Sequence, residues 1–173
     1  GALSFAVGWV RALLHPVVSV VKATPVASFV ILALIWISSK NLSIFISFLM
    51  VFPIMYENML AGLESADPKL LEMGRVFQLS RLSRIRAIYL PAAYPFLLSA
   101  ARLSLGMCWK SGIAAEVIGQ PRQSIGAELN QAKLFFNTPD PFAWTVTIIV
   151  VSVVFERLVL CGIRALMRRW EHA

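Results

Sequence analysis

Four long runs of this sequence contain no charged side chain. They are residues 23–39, 41–56, 87–101 and 141–155. A helix needs about 20 mostly apolar residues to cross the hydrocarbon core of a bilayer, and each run reaches roughly that length with its less polar flanks. Backbone polar groups find no water inside a bilayer, so we expect these runs to be helices. None alternates apolar and polar residues as a barrel strand does. The sequence therefore predicts an all-α membrane protein.

The composition supports this class and argues against two others. Of the 173 residues, 58% are hydrophobic and 14% are charged, whereas soluble domains average about 45–50% and about 25%. The net charge of +7 raises the question of nucleic acid. However, the basic residues flank apolar runs, and Phe77 is the one aromatic residue between Arg75 and Arg86, so no nucleic-acid partner is expected. Cys108 and Cys161 belong to no CxxC or Cys/His pattern, and no metal site is predicted.

Five membrane segments are predicted, at about residues 1–21, 25–38, 42–63, 88–117 and 141–167. The first is expected to be broken at Arg11 and His15-Pro16. Residues 119–139 are rich in Gly, Pro, Gln and Asn, which predicts a loop with a short helix around 126–134. The chain is apolar from its first residue and has no basic leader. We therefore expect that the chain begins inside a membrane helix and is a fragment.

The basic residues predict the orientation in the membrane, because cytoplasmic loops carry an excess of Lys and Arg. Ten of these residues fall on one predicted side and three on the other. The polar segment, which we define as residues 64–87, and the C-terminus are therefore expected in the cytoplasm, and the loop 119–139 outside. The larger set is Arg11, Lys22, Lys69, Arg75, Arg81, Arg84, Arg86, Arg164, Arg168 and Arg169, and the smaller is Lys40, Arg122 and Lys133.

The polar segment predicts two short amphipathic helices joined by a turn. Asp67 and Ser80 are good N-caps, and Pro68 suits a first helical position. Pro91 is expected to bend or restart the chain where it enters the membrane. Two apolar stripes are predicted, with Arg81 and Arg84 facing away from the second. The stripes are Leu70, Met73 and Phe77 on the first helix, and Leu82, Ile85 and Tyr89 on the second.

Two interpretations of the polar segment were weighed. It can be an interfacial helix pair whose arginines reach lipid headgroups, or a surface that docks a cytoplasmic protein. The order of its residues favours docking, since it resembles the EAA loop of ABC-importer permeases. That pattern is Glu-Ala-Ala, three residues, Gly, nine residues, Ile, one residue, Leu-Pro. The same spacing places Glu72-Met73-Gly74, Gln78, Ile88 and Leu90-Pro91 here.

Gln78 departs from the family pattern. It stands at the family's Gly, and Met73 and Gly74 stand at the two Ala positions. Glycine is usual where a turn needs a positive φ or a close backbone approach. Strain or altered geometry is therefore expected at Gln78.

Other short pieces resemble the branch of permeases for nitrate, sulfonate, taurine and related solutes. The resemblance implies that residues 1–173 form one type I ABC-importer transmembrane domain in a bacterial inner membrane. It further implies a permease homodimer that receives a small oxyanion or sulfonate from an extracytoplasmic solute-binding protein and docks an ABC ATPase dimer. The similar pieces include Thr24-Pro25-Val26-Ala27, Leu90-Pro91-Ala92-Ala93-Tyr94-Pro95 and Ala115-Glu116-Val117-Ile118-Gly119. The docking residues implied are Glu72, Met73, Gly74, Arg75, Gln78, Leu79, Ser80 and Arg81.

Three charged residues lie in or near the fourth segment: Arg102, Lys110 and Glu116. A charge at mid-membrane costs at least about 2.5–3.5 kcal/mol, so it usually faces a cavity or a partner. One hypothesis is that these residues line a path for an anionic solute. The other is structural: Arg102 lies near the inner surface, and Glu116 pairs with Lys110 or Arg122.

No GxxxxGK[ST], HExxH, GxGxxG or GxSxG motif occurs. No catalytic residue, cofactor or enzymatic activity is therefore expected, and any ATP hydrolysis is expected in a partner subunit. The alternative function is a non-transporting scaffold or regulatory membrane subunit that retains the permease fold, which the residues at positions 73 and 78 motivate. An ion channel is disfavoured, because there is no filter-like repeat and no charged ring.

Overall fold

The structure, a computed structural model, describes residues 1, 4–5, 7–134 and 139–171, and the described ranges contain helices and no strand. The all-α prediction is confirmed. The predicted loop 119–139 includes residues 135–138, which lie outside the described residues. The side chains of Arg168 and Arg169, which contribute to the predicted orientation, also lie outside them. The elements are α1 (Gly8–Ala23), α2 (Val26–Ala33), α3 (Ser39–Glu64), α4 (Pro68–Val76), α5 (Arg81–Arg84), a π-helical turn (Ile85–Tyr89), α6 (Leu90–Gly119), α7 (Ile125–Leu134) and α8 (Pro139–Glu171).

The centre of the fold is the antiparallel pair of α3 and α6. Small residues on α6 let the two helices approach closely, as is usual in membranes. The Ser47 hydroxyl donates to the Cys108 carbonyl oxygen at 3.1 Å, and the Ser43 hydroxyl donates to the Gly112 carbonyl oxygen at 3.2 Å. These bonds fix the register of the pair. Leu42, Ile46 and Val30 are the largest fully buried side chains, and they place α2 against the same core.

Helix α1 ends at Thr24-Pro25, and the predicted break at Pro16 is wrong. Helix α1 continues through Pro16. Thr24 is extended, as a residue before proline prefers, and both its N–H and its hydroxyl donate to the Val20 carbonyl oxygen. Helices α1 and α2 therefore meet at 104°.

The number of candidate spans is lower than the five segments predicted. In the described residues three helices are long and apolar enough to cross a membrane, or four if the bent pair α1 and α2 is one span. The difference arises because α2 has only eight residues. Two ion pairs hold α1 beside α3: Arg11 with Glu64, and Lys22 Nζ with Glu57 Oε2 at 2.9 Å.

Helix α6 is part of a much longer helical rod. Residues Arg81–Gly119 run without interruption for 39 residues, which is about 58 Å at 1.5 Å per residue. The hydrocarbon core is only about 30 Å thick. A helix of this length that crosses a bilayer therefore extends well beyond the hydrocarbon core.

Candidate functional site

Helix α4 begins as its sequence predicts. The Lys69 backbone N–H donates to Asp67 Oδ1 at 2.8 Å, and Pro68 occupies the first turn, where its missing N–H is not needed. The predicted N-cap is therefore confirmed. The cap fixes the start of the segment immediately after α3 ends.

Helix α4 ends in a turn centred on Gln78, which has a φ of 49°. The Leu79 N–H donates to the Gly74 carbonyl oxygen at 2.9 Å, and the Gln78 N–H donates to the Arg75 carbonyl oxygen at 3.0 Å. This is the hydrogen-bonding pattern of a Schellman motif, whose left-handed position is usually glycine. Strain was expected at Gln78, and the backbone indeed adopts the left-handed conformation there, with both closing hydrogen bonds made.

Gly74 is buried at the contact between α4 and the rod. A Cβ placed on Gly74 would lie 3.3 Å from Ile88 Cδ1, 3.5 Å from Leu79 Cδ1 and 3.8 Å from Arg84 Nε. The short side chain thus lets α4 lie directly against the base of the rod. Ile88 is only 7% exposed, so one anchor of the EAA-like spacing packs against another.

The second short helix is not a separate element. The Ser80 hydroxyl accepts from the Ser83 N–H at 3.1 Å, which confirms the predicted cap. Helix α5 then continues into the π turn, where the Leu90 N–H donates to the Ile85 carbonyl oxygen. Pro91 follows that wider turn without breaking the helix, so the predicted restart at Pro91 is wrong.

Only one of the three residues of the second apolar stripe packs against the protein: Tyr89 is half-buried, and its ring centroid lies 5.4 Å from that of Phe5. Leu82 and Ile85 are exposed, while Arg84 turns towards α4. The Nε of Arg84 is buried and has no hydrogen-bond partner within the part of the chain described. Arg84 thus faces away from Leu82 and Ile85, as predicted, but the side it faces is the packed one. The physical reason is the small size of Gly74, which leaves room for the stem of Arg84 on the packed side.

The first apolar stripe faces solvent. Leu70 is 46% exposed, Met73 53% and Phe77 71%. We define the exposed apolar face as these three residues with Val76, Leu82 and Ile85, all of which are exposed. Monomeric soluble surfaces rarely gather so many apolar side chains. Of the eight predicted docking residues, Gly74 is buried, and the other seven, Glu72, Met73, Arg75, Gln78, Leu79, Ser80 and Arg81, are exposed.

The three charged residues of α6 are not gathered at one site. Glu116 Oε2 accepts from the Gly126 N–H at 3.1 Å and so caps the first turn of α7. It forms no ion pair with Lys110 or Arg122 in the described structure, so that predicted pairing is wrong. Lys110 is exposed. Their role in a solute path stays a prediction.

Arg102 lines a cavity of about 720 Å³ between α6 and α8. We call it the arginine cavity, and its lining residues are Arg102, Glu156, Arg157, Leu160, Cys161, Arg164 and Ala165. No sequence pattern indicates that these seven residues, which lie on two helices, line one cavity. The available signal was the spacing of Arg157 and Arg164, which are seven residues apart and so share a helix face.

Two of the long apolar helices are joined by a capped, exposed polar segment. This arrangement is typical of one class of protein, helical membrane subunits that work with other proteins. The chain belongs to the family described as binding-protein-dependent transport system inner membrane component, whose model matches residues 2–171. Its fold is thus the type I ABC-importer membrane domain, and the protein is a transport permease subunit rather than an enzyme. The family places it in the bacterial inner membrane, working with an ATPase and a binding protein.

Three relatives illustrate the range of the family. A probable ABC transporter permease protein of Brucella abortus (strain 2308) is 28% identical over 99% of this chain and 70% of its own length. The taurine transport system permease protein TauC of Escherichia coli (strain K12) is 28% identical over 92% and 57%. The riboflavin transport system permease protein RibX of Chloroflexus aurantiacus (strain ATCC 29366 / DSM 635 / J-10-fl) is 26% identical over 94% and 60%.

Proposed function

We propose that this permease couples to a separate ATPase through residues 67–86, and that it imports a small oxyanion, sulfonate or similar solute. In this proposal two copies form the membrane unit, and the C-terminus and the polar segment face the cytoplasm. The observation that carries it is the exposed apolar face, held at the base of a continuous rod. An apolar helix face with a polar or basic rim is the usual form of a helix-in-groove contact.

The rim of this face is basic. Lys69, Arg75 and Arg81 are exposed around it, and they suit an acidic groove on the ATPase. The rod supplies the mechanical link, since a displacement of α4 is passed through Gly74 and Ile88 to α6. Closure of the ATPase would then exchange inward-open and outward-open states of the permease.

The docking claim is tested by co-purification with the ATPase. Met73→Asp places a charge in the centre of the exposed apolar face without touching the core. We expect ATPase association to fall by at least tenfold. The matched control is Leu134→Asp, because Leu134 is also an exposed apolar residue but lies at the end of α7. Equal association of both variants with the ATPase would refute docking through this face.

The solute class rests on the relatives alone, whose printed names include taurine and aliphatic sulfonates. Uptake of labelled 2-aminoethanesulfonate by the complete transporter tests it. The scaffold alternative is tested by the same assay with this subunit removed. Its motives were the residues at positions 73 and 78, and at position 78 both hydrogen bonds that close the turn are made. Uptake that persists without the subunit would favour the scaffold.

A further inference from the structure

Three arginines line the arginine cavity without a protein partner. Arg102, Arg157 and Arg164 make no hydrogen bond or ion pair with any described residue, and the same holds for Glu156 beside them. The lining thus carries three positive charges and one negative charge. All three arginines are exposed, and arginines near the end of a membrane helix direct their guanidinium groups to the membrane surface, where the anionic groups lie. The excess charge indicates an anionic ligand.

Two independent helices give the depth of this cavity. Arg102 lies 17 residues before the end of α6 at Gly119, and Arg157 lies 18 residues after the start of α8 at Pro139. These separations correspond to about 26 and 27 Å along the axes. The hydrocarbon core is about 30 Å thick. If both helices cross the bilayer, the arginines lie at the level where the core meets the headgroups, on the side of the polar segment.

The wall of the cavity is partly apolar. Leu160 is buried in its lining, while Val154 and Leu158 on the neighbouring turns of α8 are exposed, as is Leu103 on α6. Along their helices, Leu103 follows Arg102 towards Gly119 and Val154 precedes Arg157 towards Pro139, so both lie on the core side of the arginines. This arrangement matches a molecule with a charged head and apolar tails. A soluble anion has no use for that apolar surface.

We propose that the arginine cavity binds the headgroup phosphate of an acidic phospholipid, with its acyl chains along Leu103 and Val154. Arginine suits phosphate because its planar guanidinium donates two parallel hydrogen bonds. Basic pockets between helices on the cytoplasmic side are typical sites for anionic headgroups. Glu156 selects a headgroup with a donor, such as the glycerol hydroxyls of phosphatidylglycerol. This site goes beyond the proposed function and does not depend on ATPase docking.

The test uses the purified full chain in an uncharged detergent, with thermal unfolding and native mass spectrometry as readouts. Added dioleoylphosphatidylglycerol should raise the unfolding midpoint by about 3–5 °C, and dioleoylphosphatidylcholine should not. The variant Arg102→Gln/Arg157→Gln should lose the shift. The control variant Lys40→Gln/Lys133→Gln removes the same charge outside the cavity and should keep it. If the double variant does not fold, Arg164→Gln should lose at least half of the bound lipid in mass spectra.

Three results would overturn the proposal. One is an equal shift with phosphatidylcholine or phosphatidylethanolamine. The second is an equal loss of the shift in both double variants, since that would indicate a non-specific charge effect. The third is that inorganic phosphate or 2-aminoethanesulfonate raises the midpoint without lipid and abolishes the effect of phosphatidylglycerol. This last result would assign the cavity to a soluble anion. None of these measurements involves transport or ATPase.

Discussion

The Leu79 N–H donates a hydrogen bond to the Gly74 carbonyl oxygen at 2.9 Å, five residues back. This bond closes the end of α4 and brings the Leu79 side chain against Gly74. The residue that makes the bond possible is Gln78, which is left-handed. The polar segment therefore has a defined shape before any partner binds.

Replacing Gln78 with glycine should stabilise the protein. A non-glycine residue in the left-handed region costs about 1–2 kcal/mol, and the greater freedom of glycine in the unfolded chain offsets part of that gain. We expect Gln78→Gly to raise the free energy of unfolding by about 0.5–1 kcal/mol, measured by thermal unfolding in detergent. Gln78→Ala keeps the Cβ and should bring no gain. Equal effects of the two variants would show that the backbone at residue 78 is not strained.

Side-chain size at position 74 should control both stability and ATPase docking. Gly74→Ala adds one carbon at ordinary to tight contact distance and should be nearly neutral. Gly74→Leu should displace α4 from Ile88 and lower the free energy of unfolding by about 1–3 kcal/mol. Unfolding and ATPase association are measured together. A leucine variant as stable as the alanine variant would contradict the packing described here.

Glu116 should tolerate loss of its charge but not loss of its oxygen atoms. Glu116→Gln retains an acceptor for the Gly126 N–H, whereas Glu116→Ala removes it and should cost about 1 kcal/mol. Stability and solute uptake are compared for the two variants. If Glu116→Gln abolishes uptake at unchanged stability, the carboxylate belongs to the solute path rather than to the cap of α7.

Exchanging the partners of the Lys22–Glu57 ion pair should separate pairing from simple loss of charge. The single variants Lys22→Glu and Glu57→Lys each place like charges opposite one another, so both should lower the unfolding midpoint. The double variant restores opposite charges and should recover most of the loss. Because both side chains are about half exposed, each single effect is expected near 1 kcal/mol. A double variant no better than the sum of the singles would exclude a direct interaction.

The elements that follow from local sequence were predictable. The caps at Asp67 and Ser80 and the helix α7 depend on residues within a few positions of one another, and all three were found. Two prolines were not predicted correctly: Pro16 does not break α1, and the helix does not restart at Pro91. Pro16 is accommodated within α1, and the break occurs instead at Pro25, where Thr24 satisfies the Val20 carbonyl oxygen. Which proline breaks a helix depends on such neighbours.

Contacts between distant residues were not predictable. Lys22 and Glu57 are 35 positions apart, and no periodicity connects them. The packing of Arg84 against α4 was not predictable for a different reason. The stripe Leu82, Ile85 and Tyr89 assumes an α-helical period, but the packed side is chosen by the contact of Ile88 with Gly74. The arginine cavity likewise forms only when α6 and α8 lie side by side.

The π turn at Ile85–Tyr89 has a consequence for how such subunits diverge. A π turn contains one residue more than the α-helical register, and each residue rotates an α-helix by about 100°. Deleting one residue there would restore the α-helical register and swing α4 around the rod axis by roughly that angle. The direction in which the exposed apolar face points, relative to the membrane helices, is thus set by a single residue. If that surface docks the ATPase as proposed, one insertion or deletion at the π turn would re-aim it without changing its residues.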